Sequence, residues 1–246
     1  MIVTEPFKLI KNAIDYCKYS KKDLITILAV IIIFQLIPEV FSFPPRLTLI
    51  FLIMQVTLFT GYGLCVIADI TNDGKQLPRL QVKKTLSMGI KGTVVMIVYL
   101  SIKIAATGLI SYSLGFPDFE LEEMILNFSH TLQVLLNHNP LHSTIFMIAG
   151  IIITYVTVFF MEIGLGMIAN GEPFKNSFNL KLIKQKIDRI GWADYGVEYS
   201  IVISSIIILT AIGDIFSDFG ILLVVVKFLI FIIEFVAMGV IYKKSR

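Results

Sequence analysis

Charged side chains are scarce in this chain. Asp, Glu, Lys and Arg make up 16% of its 246 residues, against roughly a quarter in soluble domains. Apolar residues reach 56% and the mean hydropathy is +0.83, which excludes an ordinary water-soluble enzyme. Cysteine is nearly absent. Cys17 falls in a basic amino-terminal segment and Cys65 inside an apolar run, so neither a disulfide framework nor a C-x-x-C site is expected. The three histidines, His130, His138 and His142, share one loop, with Pro140 between the last two, and match no metal-ligand spacing. H-E-x-x-H, G-x-x-x-x-G-K-[ST], G-x-S-x-G and G-x-G-x-x-G after a strand are all missing, which removes the usual supports for metal hydrolysis, ATP use and nucleotide binding. No catalytic residue, metal or cofactor is expected.

Long apolar runs are what the chain has in abundance. A helix needs about 20 such residues to cross a hydrocarbon core of roughly 30 Å, because it rises only about 1.5 Å per residue. Six stretches qualify, at about 24–41, 47–68, 93–114, 144–169, 199–215 and 221–242. They are continuously apolar rather than alternating, so helices and not barrel strands are predicted. The fold class is therefore all-α: a polytopic membrane bundle of about six spans, forming one integral domain over residues 1–246. A cleavable signal peptide is not expected, since the first run follows a charged segment and leads to no small-residue cleavage pattern.

Basic residues set the orientation, because Lys and Arg are retained in loops that are not translocated. Of 21, 18 fall on one side: five before the first span, five between the second and third, five between the fourth and fifth, and three after the sixth. The long loop at 115–143 holds Asp118, Glu120, Glu122 and Glu123 but no Lys or Arg. A multi-pass protein of the cytoplasmic membrane with both termini inside is predicted. The net charge of +3 reflects this sorting, so it gives no ground for a nucleic-acid partner. Leu121, Ile125, Phe128, Leu132 and Leu135 recur at helical spacing in the long loop and predict an amphipathic helix on the outer surface.

Shifting the chain by 101 residues lays Gly63-Leu64-Cys65-Val66-Ile67-Ala68 over Gly164-Leu165-Gly166-Met167-Ile168-Ala169, with four of six positions identical and Phe59 over Phe160. A turn and a basic linker follow in both places, Asn72-Asp73-Gly74 in one and Asn170-Gly171 in the other. Since both spans run inward, the pattern is a parallel repeat, with halves at about 5–114 and 118–242. In the second linker Phe174, Phe178, Leu182, Ile183, Ile187 and Ile190 alternate at helical spacing with Lys175, Lys181, Lys184, Lys186 and Arg189. This predicts a basic interfacial helix whose apolar face lies in lipid and whose cations meet anionic headgroups at the cytoplasmic face. A docking surface for a soluble partner is the alternative use of the same cations.

The chain resembles a family of uncharacterised prokaryotic polytopic membrane proteins, common in methanogenic archaea and termed domain of unknown function 4013. The resemblance rests on Gly61-Tyr62-Gly63-Leu64 leading through Asn72-Asp73-Gly74-Lys75-Gln76-Leu77-Pro78 to Gly89-Ile90-Lys91-Gly92, and on the echo Asn170-Gly171-Glu172-Pro173-Phe174. It covers most of the chain. It implies a membrane fold and location but no activity, substrate or site.

Ionisable groups inside hydrocarbon cost about 2.5 to 3.5 kcal/mol each on insertion scales and mark functional positions. Lys103, Asp214, Asp218 and Lys227 fall toward the outer ends of their spans, where charge pairing or snorkelling accommodates them. Glu162 and Glu234 each lie about eight residues from the inner end of a span, so two carboxyls stand at matching depth on different helices. Where such groups meet, they share a proton or a cation. The sequence thus points to a small-solute or ion transporter, or a subunit of a transport complex. The alternative is a non-catalytic scaffold that binds a soluble partner through its basic linkers. Expected partners are the bilayer with its anionic headgroups and another membrane protein, either a second copy or a complex subunit.

Overall fold

A computed structural model describes residues 11, 15–16, 21–41, 43–115, 139–215 and 220–246. Among them there are only helices and turns. The helices are α1 (Lys21–Val40), α2 (Pro45–Thr71), α3 (Val82–Ser113), α4 (Pro140–Ala169), α5 (Leu180–Ile190), α6 (Trp192–Ile215) and α7 (Gly220–Lys243), with a 3-10 turn at Phe174–Phe178 before α5. Five stretches are long and apolar enough to cross a membrane: Arg46–Thr71, Val82–Ser113, Pro140–Ala169, Trp192–Gly213 and Val225–Lys243. The first expected span falls on α1, whose apolar run among the described residues, Ile25–Phe34, is shorter than the others. His130, His138, Asp218 and the amphipathic helix expected in the long loop lie outside the described residues. His142 sits in the first turn of α4, where its backbone N–H donates to the Asn139 side chain at 3.2 Å.

Local sequence accounts for where these helices begin and end. α2 starts at Pro45, a position where a missing N–H costs nothing. It stops when Asp73 turns to φ 64°, letting the Gly74 N–H reach the Asp69 carbonyl at 2.8 Å and the Asp73 N–H reach Ile70 at 3.1 Å. α4 stops in the same way: Gly171 takes φ 77°, the Glu172 N–H donates to Met167 at 3.0 Å, and the Gly171 N–H donates to Ile168 at 3.0 Å. In both, an asparagine amide caps a carbonyl one turn back, Asn72 to Ala68 at 2.7 Å and Asn170 to Gly166 at 2.9 Å. Within the spans several hydroxyls bond their own helix, as Ser101 does to Ile97 and Thr154 to Gly150, so these need no water.

The chain forms two compact units, Met1–Val95 with Glu162–Arg246, and Met96–Met161. In the first, backbones approach closely at glycines. A Cβ on Gly61 would stand 1.9 Å from the Thr85 carbonyl oxygen, and one on Gly89 would stand 2.0 Å from that of Thr57. α2 and α3 therefore cross in direct backbone contact, antiparallel, with Thr93 donating to Thr57 on one side and Cys65 against Met88 on the other. α7 runs parallel to α2. Phe231 packs on Phe59, Phe235 fills the space above Gly63, and Gly239 lies under Ile67 and Ile70. Leu64, Ile67, Ile163, Leu165, Met167 and Ile232 form the fully enclosed centre. Among the described residues, the second unit consists mainly of the remaining lengths of α3 and α4. There Tyr99 and Phe146 are buried, while Ile97, Ile102, Leu109, Ile148 and Ile151 are exposed, as side chains facing lipid are.

Residues Tyr242–Arg246 hold the basic ends of the first unit together. Lys243 pairs with Asp73 beyond α2 and Lys244 with Glu198 on α6. Arg189 of α5 donates to the Ser245 carbonyl at 3.3 Å, and Arg246 donates to the Thr71 carbonyl at 2.6 Å. The ends of α2 and α7, the start of α6 and the linker helix α5 thus gather on one side, each through a cation bonded to a carboxylate or a helix-end carbonyl.

Gly61→Ala is expected to destabilise by about 2 kcal/mol or more, through overpacking against a backbone that cannot retreat. Gly108→Ala, where a new Cβ meets nothing within 4 Å, is expected to be neutral or to stabilise by up to about 1 kcal/mol. Unfolding in detergent followed by size-exclusion chromatography distinguishes the two. Lys244→Met removes the charge facing buried Glu198 and is expected to cost about 2 kcal/mol. Adding Glu198→Gln should restore most of that loss, and the double-mutant cycle measures the coupling.

Candidate functional site

Glu162 and Glu234 come from different helices whose contacts set how far apart they stand. Tyr242, near the end of α7, lies against Gly166 of α4, where a Cβ would fall 2.3 Å from its ring. Glu162 stands one turn back from Gly166 along α4, and Glu234 two turns back from Tyr242 along α7. The two carboxyls lie within electrostatic reach of one another. Glu162 is 6% exposed and Glu234 half-buried, with Phe235 and Met161 buried beside them in sequence. Among the described residues neither carboxyl has a hydrogen-bond or ion-pair partner of opposite charge.

Below the pair, toward the basic end, a polar cluster joins three elements. Glu172, in the turn after α4, accepts from the Tyr242 hydroxyl at 3.0 Å and from the Lys186 ammonium at 2.9 Å. The same ammonium lies 5.4 Å from the centre of the Tyr242 ring. Partial burial pushes the Glu172 carboxyl up, but the hydrogen bonds from Lys186 and Tyr242, and the Lys186 charge, outweigh it and leave the pKa below 4.5, the ordinary value. Asp73, in water, is held low by its hydrogen bond and charge pairing with Lys243.

The basic linker departs from expectation in two respects: Asn179 divides it into the 3-10 turn and α5, and its isoleucines are covered by protein. Ile183, Ile187 and Ile190 do not lie in lipid; protein covers them, with the first two fully enclosed. α5 rests against α6 and the 3-10 turn, because its apolar stripe matches the gap left at the end of the bundle. Lys175, Lys181, Lys184 and Arg189 stay on the outside while Lys186 turns inward to Glu172. Phe174, Leu180 and Trp192 are exposed apolar side chains of this region, and the Trp192 indole donates to Asp188 at 2.6 Å.

The outer charges are not brought together in the described residues. Lys103 is half-buried on α3 and Lys227 exposed on α7. The side chain of Asp214, and Asp218 entirely, lie outside what is described. Sequence reasoning missed Glu198, which falls one residue before the span as drawn, and Glu172, which reads as part of a turn. Their partners, Lys244 and Tyr242, are 46 and 70 residues away, so no local pattern signals either contact.

The sign of the pH dependence at Glu172 follows from its lowered pKa. Its stabilisation is complete above the unfolded-state value and fades as the pH falls through the lower folded-state one. The melting-temperature gap between the wild type and Glu172→Gln is therefore expected to be constant above about pH 5 and to close in more acidic buffer. A gap that persists unchanged at pH 3 contradicts this account.

No protein-family model, curated protein or solved structure matches this chain.

Proposed function

We propose that this multi-pass membrane protein moves a proton or small cation, alone or coupled to a solute, with Glu162 and Glu234 as the shared carrier. The observation behind the reading is that two carboxyls, on α4 and α7, lie inside membrane-spanning segments within electrostatic reach of one another, with no ion pair to a basic side chain among the described residues. Two bare charges so placed in hydrocarbon repel each other and lack water, and a proton or cation between them relieves both costs. Release needs a change in their surroundings, and the Glu172, Lys186 and Tyr242 cluster lies where the same two helices end.

The reading includes the orientation drawn from the lysines and arginines: the basic ends face the cytoplasm, in the cytoplasmic membrane, with both termini there. The shared closing turns of α2 and α4, each with an asparagine cap and a left-handed residue, support a parallel repeat. The first turn closes three residues later than the 101-residue offset alone would place it. Membership of the family termed domain of unknown function 4013 belongs to the same proposal. The scaffold reading has its own support in Lys175, Lys181 and Lys184, which point outward from a helix backed by protein.

Purified protein in liposomes, with a pH-sensitive dye inside and an imposed ion gradient, tests the main reading. Proton or cation flux above that of empty liposomes is expected, falling at least about ten-fold in Glu162→Gln and in Glu234→Gln. Wild-type flux equal to the background, or variants as active as the wild type, would falsify the assignment and favour a scaffold.

A further inference from the structure

The crossing of α2 and α3 places a basic stripe alongside a span, on a stretch of α3 that the sequence assigned to the loop before the third span. Gly89 lies against Thr57 and Gly61, and Thr93 donates to Thr57, so the part of α3 between them runs beside the middle of the span Arg46–Thr71. Lys91 stands there and is exposed. Lys84 is two turns closer to the basic end, about 10 Å along the axis, and is also exposed. At positions i, i+3 and i+7, Lys84, Ser87 and Lys91 share one face of the helix. All three are exposed, and among the described residues no carboxylate pairs with either lysine.

Leu86, Ile90 and Val94 line the adjoining surface and are exposed at 42%, 54% and 40%. A solvated helix face carries no such apolar row at bilayer depth, and a lipid-facing one carries no two lysines. Lysine side chains can bend along the axis toward water, and Lys84 is close enough to the basic end to do so. Lys91, about 10 Å further along the axis, reaches back toward Lys84 with its four-carbon stem. An anionic phospholipid satisfies both features: its phosphate meets the two ammonium groups and the Ser87 hydroxyl, and its acyl chains cover the apolar row.

We propose that Lys84, Ser87 and Lys91 form a site for the phosphate group of an anionic phospholipid, drawn in along the first turns of α3. The site depends on the glycine crossing, since that contact sets the depth of Lys91, and it is independent of the Glu162 and Glu234 reading. It differs from the general attraction of α5 for a charged surface, because Lys181 and Lys184 stand at the end of the bundle rather than alongside a span.

Native mass spectrometry of the purified protein with equal amounts of phosphatidylglycerol and phosphatidylcholine reads the preference directly. Wild type is expected to retain phosphatidylglycerol about ten-fold over phosphatidylcholine. The double variant Lys84→Gln/Lys91→Gln should bind the two lipids nearly equally, whereas Lys181→Gln/Lys184→Gln keeps the wild-type ratio. Lys84→Arg/Lys91→Arg, which preserves charge, should also keep it and guards against misfolding as the cause of loss. An unchanged ratio in the Lys84→Gln/Lys91→Gln protein, loss of the ratio in the Lys181→Gln/Lys184→Gln protein, or no wild-type preference overturns the site.

Discussion

Direct backbone contact between α2 and its neighbours is the constraint on which the first unit depends. In lipid, apolar side chains gain nothing from leaving one hydrocarbon for another, so helices are held by close packing and by polar contacts they cannot make elsewhere. Gly61 and Gly89 allow the first: each occupies a position where a methyl group would meet a carbonyl oxygen of the other helix. Gly63 and Gly166 do the same for aromatic rings of α7. Because α7 is pinned at both α2 and α4, the depth of Glu234 relative to Glu162 is set by glycines, Gly166 one turn from Glu162 and Gly63 against the ring next to Glu234. The depth of Lys91 is set in the same way by α2.

Polar contacts supply the second kind of hold, and they are concentrated at one end. Helix ends leave carbonyls unsatisfied, and here Arg246 takes up the Thr71 carbonyl at the close of α2. The Glu172, Lys186 and Tyr242 cluster ties the turn after α4 to α5 and α7. A helix end that is bonded on several sides moves as part of a group. Any motion that opens a route to Glu162 and Glu234 from this side has to break or carry along that cluster. Along α3 and α4 in the second unit, exposed apolar side chains such as Ile102, Leu109, Ile148 and Ile151 predominate over ion pairs among the described residues.

Much of this was legible in the residues. The spans from the second onward fall within the helices expected of them, since about 20 apolar residues in a row have one low-cost conformation in lipid. The turns at Asn72-Asp73-Gly74 and Asn170-Gly171 were recognisable because left-handed backbone favours Asn, Asp and Gly. α5 was readable as an amphipathic helix, and Asn179 and Gly191 do bound it. Its surroundings were not readable. A stripe of isoleucines is equally suited to lipid and to the end of a helical bundle, and periodicity carries no information about which of the two covers it.

Composition and order alone therefore determined that this chain is helical and that five of its stretches are long and apolar enough to cross a bilayer, because each follows from transfer energies and hydrogen bonding within a single segment. Only the tertiary structure decided which faces meet. That Glu162 lies within electrostatic reach of Glu234, that Lys186 reaches Glu172, and that Lys91 stands alongside α2 all depend on how helices rotate and slide against one another. Those two freedoms are settled by where a side chain is small enough to let backbones touch, summed over contacts between residues far apart in sequence.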